Sequence, residues 1–309
     1  SSAAGASSSA GAVVEKASFP LTVTDQIGNS VTLEKPAGRI ASGYYISSSA
    51  CIALGLKDRL VATEEKIDAR PIYQLAAPEL IGKAANVGSA KAFDVEACIA
   101  AEPDLVILPK KSKDYAATLK EVGIASIVVN PESHEGLTEM IRLIASLTGT
   151  EEAAAKLIGR YDEITAKVED LTADLPEDKR PSVYVNAGDI LEGDSWTDVS
   201  YEQLLSMNPD VIVIPTNNMA NGQPDFSAAD VMADSNLANV TAVRNKAVYN
   251  MPAGLEAWDS PVPSGVLGML WMLSTLHPDL YSKDDLAADA ADFYSTFYGF
   301  QMNPAIITG

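Results

Sequence analysis

Ligands that are bulky or charged are held by flat aromatic rings, cations and short polar side chains. This chain places such residues where apolar, strand-like runs end. Tyr44 and Tyr45 follow the run at Arg39–Ala41, Ser89 and Lys91 come shortly before Glu96, and Lys110, Lys111 and Lys113 follow Leu105–Leu108. In the second half, Asn186 and Trp196 follow Val183–Val185, and Thr216, Asn217 and Asn218 follow Val211–Ile214. Glu256, Trp258 and Asp259 then follow Ala247–Asn250. Ligands of open α/β sheets sit beyond the carboxyl ends of the strands, which makes these residues candidates for ligand binding. Tyr and Trp supply rigid contact area. The lysines, concentrated in a chain with only 22 Lys and Arg, suit a ligand of net negative charge. Each residue also has a structural reading. Tyr44 and Tyr45 could cap a sheet, Trp258 could fill a core, Asp259 and Ser260 could cap the Pro-led helix that follows, and Lys110–Lys113 could be a solvated loop.

The set supports binding rather than turnover. The chain lacks a Gly-x-Gly-x-x-Gly turn, a Gly-x-x-x-x-Gly-Lys loop and a Gly-x-Ser-x-Gly elbow. Its two histidines, His134 and His277, are far apart in sequence, and its two cysteines, Cys51 and Cys98, have no metal-ligand spacing. No catalytic residue, metal site or cofactor is expected, and the thiols read as buried and free, with a disulfide as the alternative. A formal charge of −20 argues against nucleic acid, which is bound by neutralising phosphates with Lys and Arg. No apolar run approaches the roughly 20 residues that span a bilayer. At 309 residues, 47 % hydrophobic and 21 % charged, the chain has room for two ordinary domains.

The elements that must position these residues show in a repeat. Glu96–Pro109 reads EACIAAEPDLVILP and Glu202–Pro215 reads EQLLSMNPDVIVIP. Both are a Glu, a short helical pattern, Pro-Asp, four apolar residues and Pro. Proline at 103 and 209 stops each helix, and each apolar run reads as a strand covered on both faces of a parallel sheet. Two α/β lobes facing each other make a cleft.

Residues 1–18 are rich in Ser, Ala and Gly and read as a flexible tether, either to a membrane surface or as an ordinary disordered terminus. They hold neither a basic start nor an apolar stretch, so no signal peptide is expected within them. A hairpin is expected around Ile27-Gly-Asn, then a first lobe over 19–133 with a helix at Ser47–Leu56 and a strand at Leu60–Thr63. Helices at Glu135–Leu147 and Glu151–Leu171, the second with Thr150 as its N-cap, form a connector within 134–175. The second lobe covers 176–309, with terminal helices at Gly265–Leu276 and Leu286–Tyr298. It has no counterpart to Ser47–Thr63, so it is expected either to be truncated or to lack a segment between Leu191 and Glu192.

These features together resemble the substrate-binding proteins of ABC importers for iron–siderophores, haem and vitamin B12. The residues that carry the resemblance are the hairpin, Ala53-Leu-Gly-Leu-Lys-Asp-Arg-Leu-Val, Asn86-Val-Gly-Ser, the two Glu…Pro-Asp units, the long connector and Trp258-Asp-Ser-Pro, across Phe19–Phe300. The resemblance implies two Rossmann-like α/β lobes with mostly parallel sheets, joined by one long helix around a ligand cleft. It implies an extracytoplasmic monomer, lipid-anchored on the outer face of the cell membrane or periplasmic, that delivers cargo to an ABC permease dimer. Glu96 and Glu202 match the surface glutamates that dock on permease arginines in that family. Among cargoes, a ferric siderophore fits aromatics plus lysines best, followed by haem or cobalamin, then an oxyanion such as molybdate.

Overall fold

The computed structural model describes residues 16–185, 200–215 and 227–307. It opens with the expected hairpin, β1 (Leu21–Thr24) antiparallel to β2 (Ser30–Leu33). Asp25 holds its turn. One carboxylate oxygen accepts from the Ile27 and Asn29 amides, and the other accepts from the Val128 amide, so the hairpin caps a sheet edge.

Lobe one follows as β3 (Ile40–Ser42), α1 (Tyr45–Ala53), β4 (Leu60–Thr63), α2 (Pro71–Ala76) and β5 (Ala85–Asn86). A two-stranded ribbon, β6 (Gly88–Ser89) and β7 (Ala92–Phe93), leads into α3 (Val95–Ala100). Then come β8 (Leu105–Pro109), α4 (Tyr115–Glu121) and β9 (Ala125–Val129). Five strands form a parallel sheet in the order β5-β4-β3-β8-β9. Side chains alternate between its faces. Ile40, Leu105, Ile107 and Ile127 enter the main core, while Ala41, Val106, Leu108 and Val128 enter a second one. Cys51 belongs to the first core and Cys98 to the second, so the sheet lies between the two thiols and both are free. Burial pushes Cys51 up to about 12 and Cys98 up to about 11, which leaves both protonated and inert.

Two helices follow, α5 (His134–Thr148) and α6 (Glu151–Thr172). Ser133 caps α5 by accepting from the Gly136 amide, and Gly149 ends it at φ 71, a left-handed value that suits glycine. The expected cap at Thr150 does not form. Its hydroxyl is engaged with Thr148 Oγ1 at 2.9 Å and makes no bond to the first turn of α6. At 22 residues α6 is roughly 33 Å long by the helical rise.

Lobe two contains β10 (Val183–Val185), α7 (Tyr201–Met207), β11 (Val211–Ile214), α8 (Ala228–Ala233), α9 (Thr241–Arg244) and β12 (Val248–Asn250). Its described strands form a parallel sheet in the order β10-β11-β12. The chain ends in α10 (Leu267–Leu276) and α11 (Lys283–Tyr298).

The repeat seen in the sequence is a repeat in structure. Each helix is followed by a left-handed residue directly before the proline, Glu102 at φ 48 and Asn208 at φ 40. The following Asp then ties down the residue just before the lobe's first strand. Asp104 Oδ2 accepts from the Gly38 and Arg39 amides, and Asp210 Oδ2 accepts from the Ser182 amide and hydroxyl. Those strands, β3 and β10, pair in register with β8 and β11.

The lobes are joined by more than the connector. One apolar core runs from Leu33 to Ile307, and Tyr161 of α6 donates to the Pro263 carbonyl at 2.9 Å. Arg160 and Lys167 of α6 each pair with an aspartate of α11, at 2.6 Å from Asp292 and Asp289. A core continuous across both lobes opposes wide hinge motion.

Candidate functional site

The carboxyl end of β3 begins the site. Gly43 follows it, and a Cβ there would lie 2.8 Å from the Phe93 ring, so only glycine lets the chain pass. Tyr44 and Tyr45 come next, their rings edge-to-face at 5.3 Å. Tyr44 donates to Glu132 Oε1 at 3.1 Å, and burial with that carboxylate raises the phenol well above its ordinary range. Tyr45 opens α1 and faces lobe two, where the Ser260 hydroxyl lies beside its phenol.

Beyond β4 the chain turns through Glu64, Glu65 and Lys66, with Lys66 left-handed at φ 64, and reaches Arg70 at the start of α2. Pro71 at the first helical position fixes that start. The Arg70 guanidinium lies 4.8 Å over the Tyr45 ring, a cation–π contact. Its Nε is buried and has no hydrogen-bond partner.

The wall from lobe two is the loop after β12. Gly268 lets it pack closely, since a Cβ there would lie 2.5 Å from the Trp258 carbonyl. Glu256 is buried and accepts three hydroxyl bonds, from Ser49 at 2.5 Å, Ser264 at 2.6 Å and Tyr298 at 2.9 Å. Burial raises its carboxyl, and those three bonds and the Arg70 charge oppose that rise. Glu64 is likewise buried, with Ser48 and Tyr73 each donating to it at 2.5 Å.

A cavity of about 240 Å³ lies between these walls. Lobe one supplies Tyr45, Ser49, Lys66, Arg70 and Tyr73, and lobe two supplies Leu255, Glu256, Ser260 and Val262. Of the residues expected from the sequence, Tyr45 and Glu256 line it. Trp258 does not, because it is a core residue, 4 % exposed, whose indole nitrogen donates to Tyr294 at 3.0 Å. Asp259 is exposed beside the loop. Ser89, Lys91, Lys110 and Lys111 lie on two neighbouring turns of lobe one, joined where Ser112 donates to the Ala90 carbonyl at 2.9 Å. They stand apart from the cavity lining, and the three lysines are exposed. Trp196, Asn217 and Asn218 lie outside the described residues. Arg70 and Lys66 were missed. The signal was available, since both follow a strand's carboxyl end, but the intervening turn and the break before α2 obscured it. Among the described residues no cluster of His, Cys, Asp and Glu is fit to hold a metal, and no helix is long and apolar enough to cross a membrane.

Glu96 and Glu202 are exposed and occupy the second position of α3 and α7. Asp94 and Ser200 cap those helices, accepting from the Ala97 and Gln203 amides.

This fold recurs in known proteins. The molybdate-binding protein MolA of Haemophilus influenzae is 22 % identical, over 91 % of this chain and 92 % of its own. A cobalamin-binding protein of Halobacterium salinarum is 24 % identical, over 84 % of this chain and 75 % of its own. A periplasmic solute binding protein from Veillonella parvula superposes with a TM-score of 0.77 at 25 % identity, covering 93 % of this chain and 95 % of that one. The family model for periplasmic binding proteins matches residues 40–190 and 184–255, and the chain belongs to that family, as a substrate-binding protein of the kind that serves ABC importers.

Proposed function

We propose that this protein captures an anion outside the cytoplasm and delivers it to an ABC permease, and that the anion is a compact oxyanion of the molybdate type. The observation that carries this is Arg70. Its guanidinium lines the cavity stacked on Tyr45, and among the described residues no carboxylate forms an ion pair with it, so its charge is open to an oxygen acceptor. Lys66 adds a second positive charge to the same wall, and Tyr45 and Ser260 add hydroxyls. The cavity, about 240 Å³, is smaller than the ~300–1,000 Å³ that drug-sized ligands occupy. That size suits a small anion and disfavours haem and cobalamin. It also reverses the order expected from the sequence, which placed a ferric siderophore first. The relative named for molybdate binding agrees with the small-anion reading.

One observation favours the siderophore as a second reading. Lys91, Lys110, Lys111 and Lys113 are exposed at the carboxyl ends of lobe-one strands, where a larger anionic chelate would reach them. Neither reading involves turnover. Loaded protein docks through Glu96 and Glu202, one on each lobe.

A titration calorimetry panel of molybdate, tungstate, sulfate, ferric hydroxamate, catecholate and citrate chelates, haem and cobalamin tests the cargo. Saturable molybdate binding that weakens by about 100-fold in Arg70→Gln is expected, the range for removing one partner of a buried charged contact. Binding of a ferric chelate alone would transfer the assignment to the second reading. Binding of haem or cobalamin, or undiminished molybdate binding in Arg70→Gln, would overturn the assignment to Arg70.

A further inference from the structure

The cavity contains a guanidinium and a carboxylate that do not pair. Arg70 stands on the lobe-one wall and Glu256 on the lobe-two wall, and the guanidinium is close enough to act on the carboxyl's charge. Opposite charges that share a space shielded from water attract strongly, and an arginine–carboxylate fork is the usual outcome. Here the Arg70 Nε is left without a partner. The carboxylate is held elsewhere. Ser49 of α1 takes one oxygen, and Ser264 and Tyr298 take the other. All three donors are themselves buried, so water does not compete for the carboxylate. The second carboxylate acting on Arg70, Glu64, is held in the same way by Ser48 and Tyr73.

We propose that this hydroxyl clamp keeps the cargo site from neutralising itself: Ser49, Ser264 and Tyr298 are positioning residues that hold Glu256 off Arg70, so the guanidinium meets the cargo unpaired. The proposal rests on the reading of the cavity as an anion site. It gives a reason for a buried carboxylate on the wall of an anion pocket, where an apolar side chain of similar size would be no less stable. Glu256 is an internal competitor for Arg70, and the clamp sets how strongly it competes. Without the clamp, Glu256 turns toward the cavity and occupies the donors that the cargo needs.

The test uses the full chain with Ser49→Ala and Ser264→Ala together, and the same pair combined with Glu256→Gln. With sodium molybdate as the probe, the unclamped variant should bind about ten-fold more weakly than wild type, and adding Glu256→Gln should restore affinity, a coupling typical of residues in one network. Arg70→Gln run beside them reports on the anion site itself. A ligand-free measurement gives a second arm. The Arg70 Nε–Hε proton resonance, identified by its loss in Arg70→Gln, should move downfield in the unclamped variant and return when Glu256→Gln is added. The clamp is overturned if the unclamped variant binds molybdate like wild type with the resonance unmoved. It is also overturned if binding falls and Glu256→Gln does not recover it, because the serines then have a purely structural role. If wild type binds no molybdate but the resonance shifts as expected, the oxyanion reading fails and the clamp stands.

Discussion

The two lobes share a frame and differ in what they bring to the cleft. In each, a capped helix ends in a left-handed residue, a proline follows, and an aspartate ties the lobe's first strand to its neighbour. The correspondence extends from sequence to individual hydrogen bonds. The cavity, however, is lined from the parts that do not correspond. Lys66, Arg70 and Tyr73 come from the segment after β4, which has no counterpart among the described residues of lobe two. Glu256 and Ser260 come from the long loop after β12, whose counterpart after β9 in lobe one runs only from Asn130 to Ser133 before α5. Lobe one therefore presents cations and lobe two presents a clamped carboxylate and hydroxyls. The repeated unit builds the support, and the unrepeated segments give the cleft its chemistry.

What the lobes do share on their surfaces is one exposed glutamate each, at the same helix position. If that symmetry serves docking, breaking it in both lobes has the largest effect of any change outside the cavity. Reversing both charges, Glu96→Lys with Glu202→Lys, should abolish cargo uptake by cells while leaving calorimetric affinity unchanged, and either single reversal should have an intermediate effect, since charge at an interface rim governs encounter. Uptake at the wild-type level would refute docking through these residues, and lost affinity would place them in the binding site instead.

The frame was legible in the sequence because its determinants are local. A proline, a buried apolar run and a Gly-Asn turn act within a few residues, and β1, β2, β8 and β11 fall where those signals put them. The charges of the site were less legible, because they depend on what lies across the cleft. Trp258 could be reached from sequence only as an aromatic after a strand. Its burial is decided by Tyr294, far along the chain. Glu256 was found for its place after a strand, but its three hydroxyl donors come from α1, the turn before α10, and the end of α11, and no local pattern announces them. Arg70 was missed for a related reason. It follows the carboxyl end of β4, but only the turn through Glu64, Glu65 and Lys66 carries it to the cleft, and that turn has no clear sequence pattern. Thr150 shows the converse error, where a residue suited to capping was engaged by a nearer hydroxyl.

A finer comparison sets the two aspartates against each other. Asp104→Ala removes the acceptor of two backbone amides next to the five-stranded sheet, and Asp210→Ala removes the acceptor of one amide and one hydroxyl next to the smaller one. These sites are exposed, so water partly replaces the lost bonds, and each loss should lower the melting temperature by only a few degrees. Asp104→Ala should cost more, because a hydroxyl of Ser182 can turn to another partner and a backbone amide cannot.

The smallest effect expected is one of pH, at Asp210. The Ser182 hydroxyl and amide hold the Asp210 carboxyl below its ordinary value. A carboxyl depressed by folding adds stability above its unfolded value, near 4, and loses that contribution as pH falls through the lower, folded value. The melting-temperature gap between wild type and Asp210→Ala should therefore be constant from neutral pH down to about 5 and narrow below about 4. A gap that widens on acidification would mean that the Asp210 carboxyl is destabilising when ionised. The tie to Ser182 would then be an accident of packing, and the likeness of the two lobes would end at the backbone.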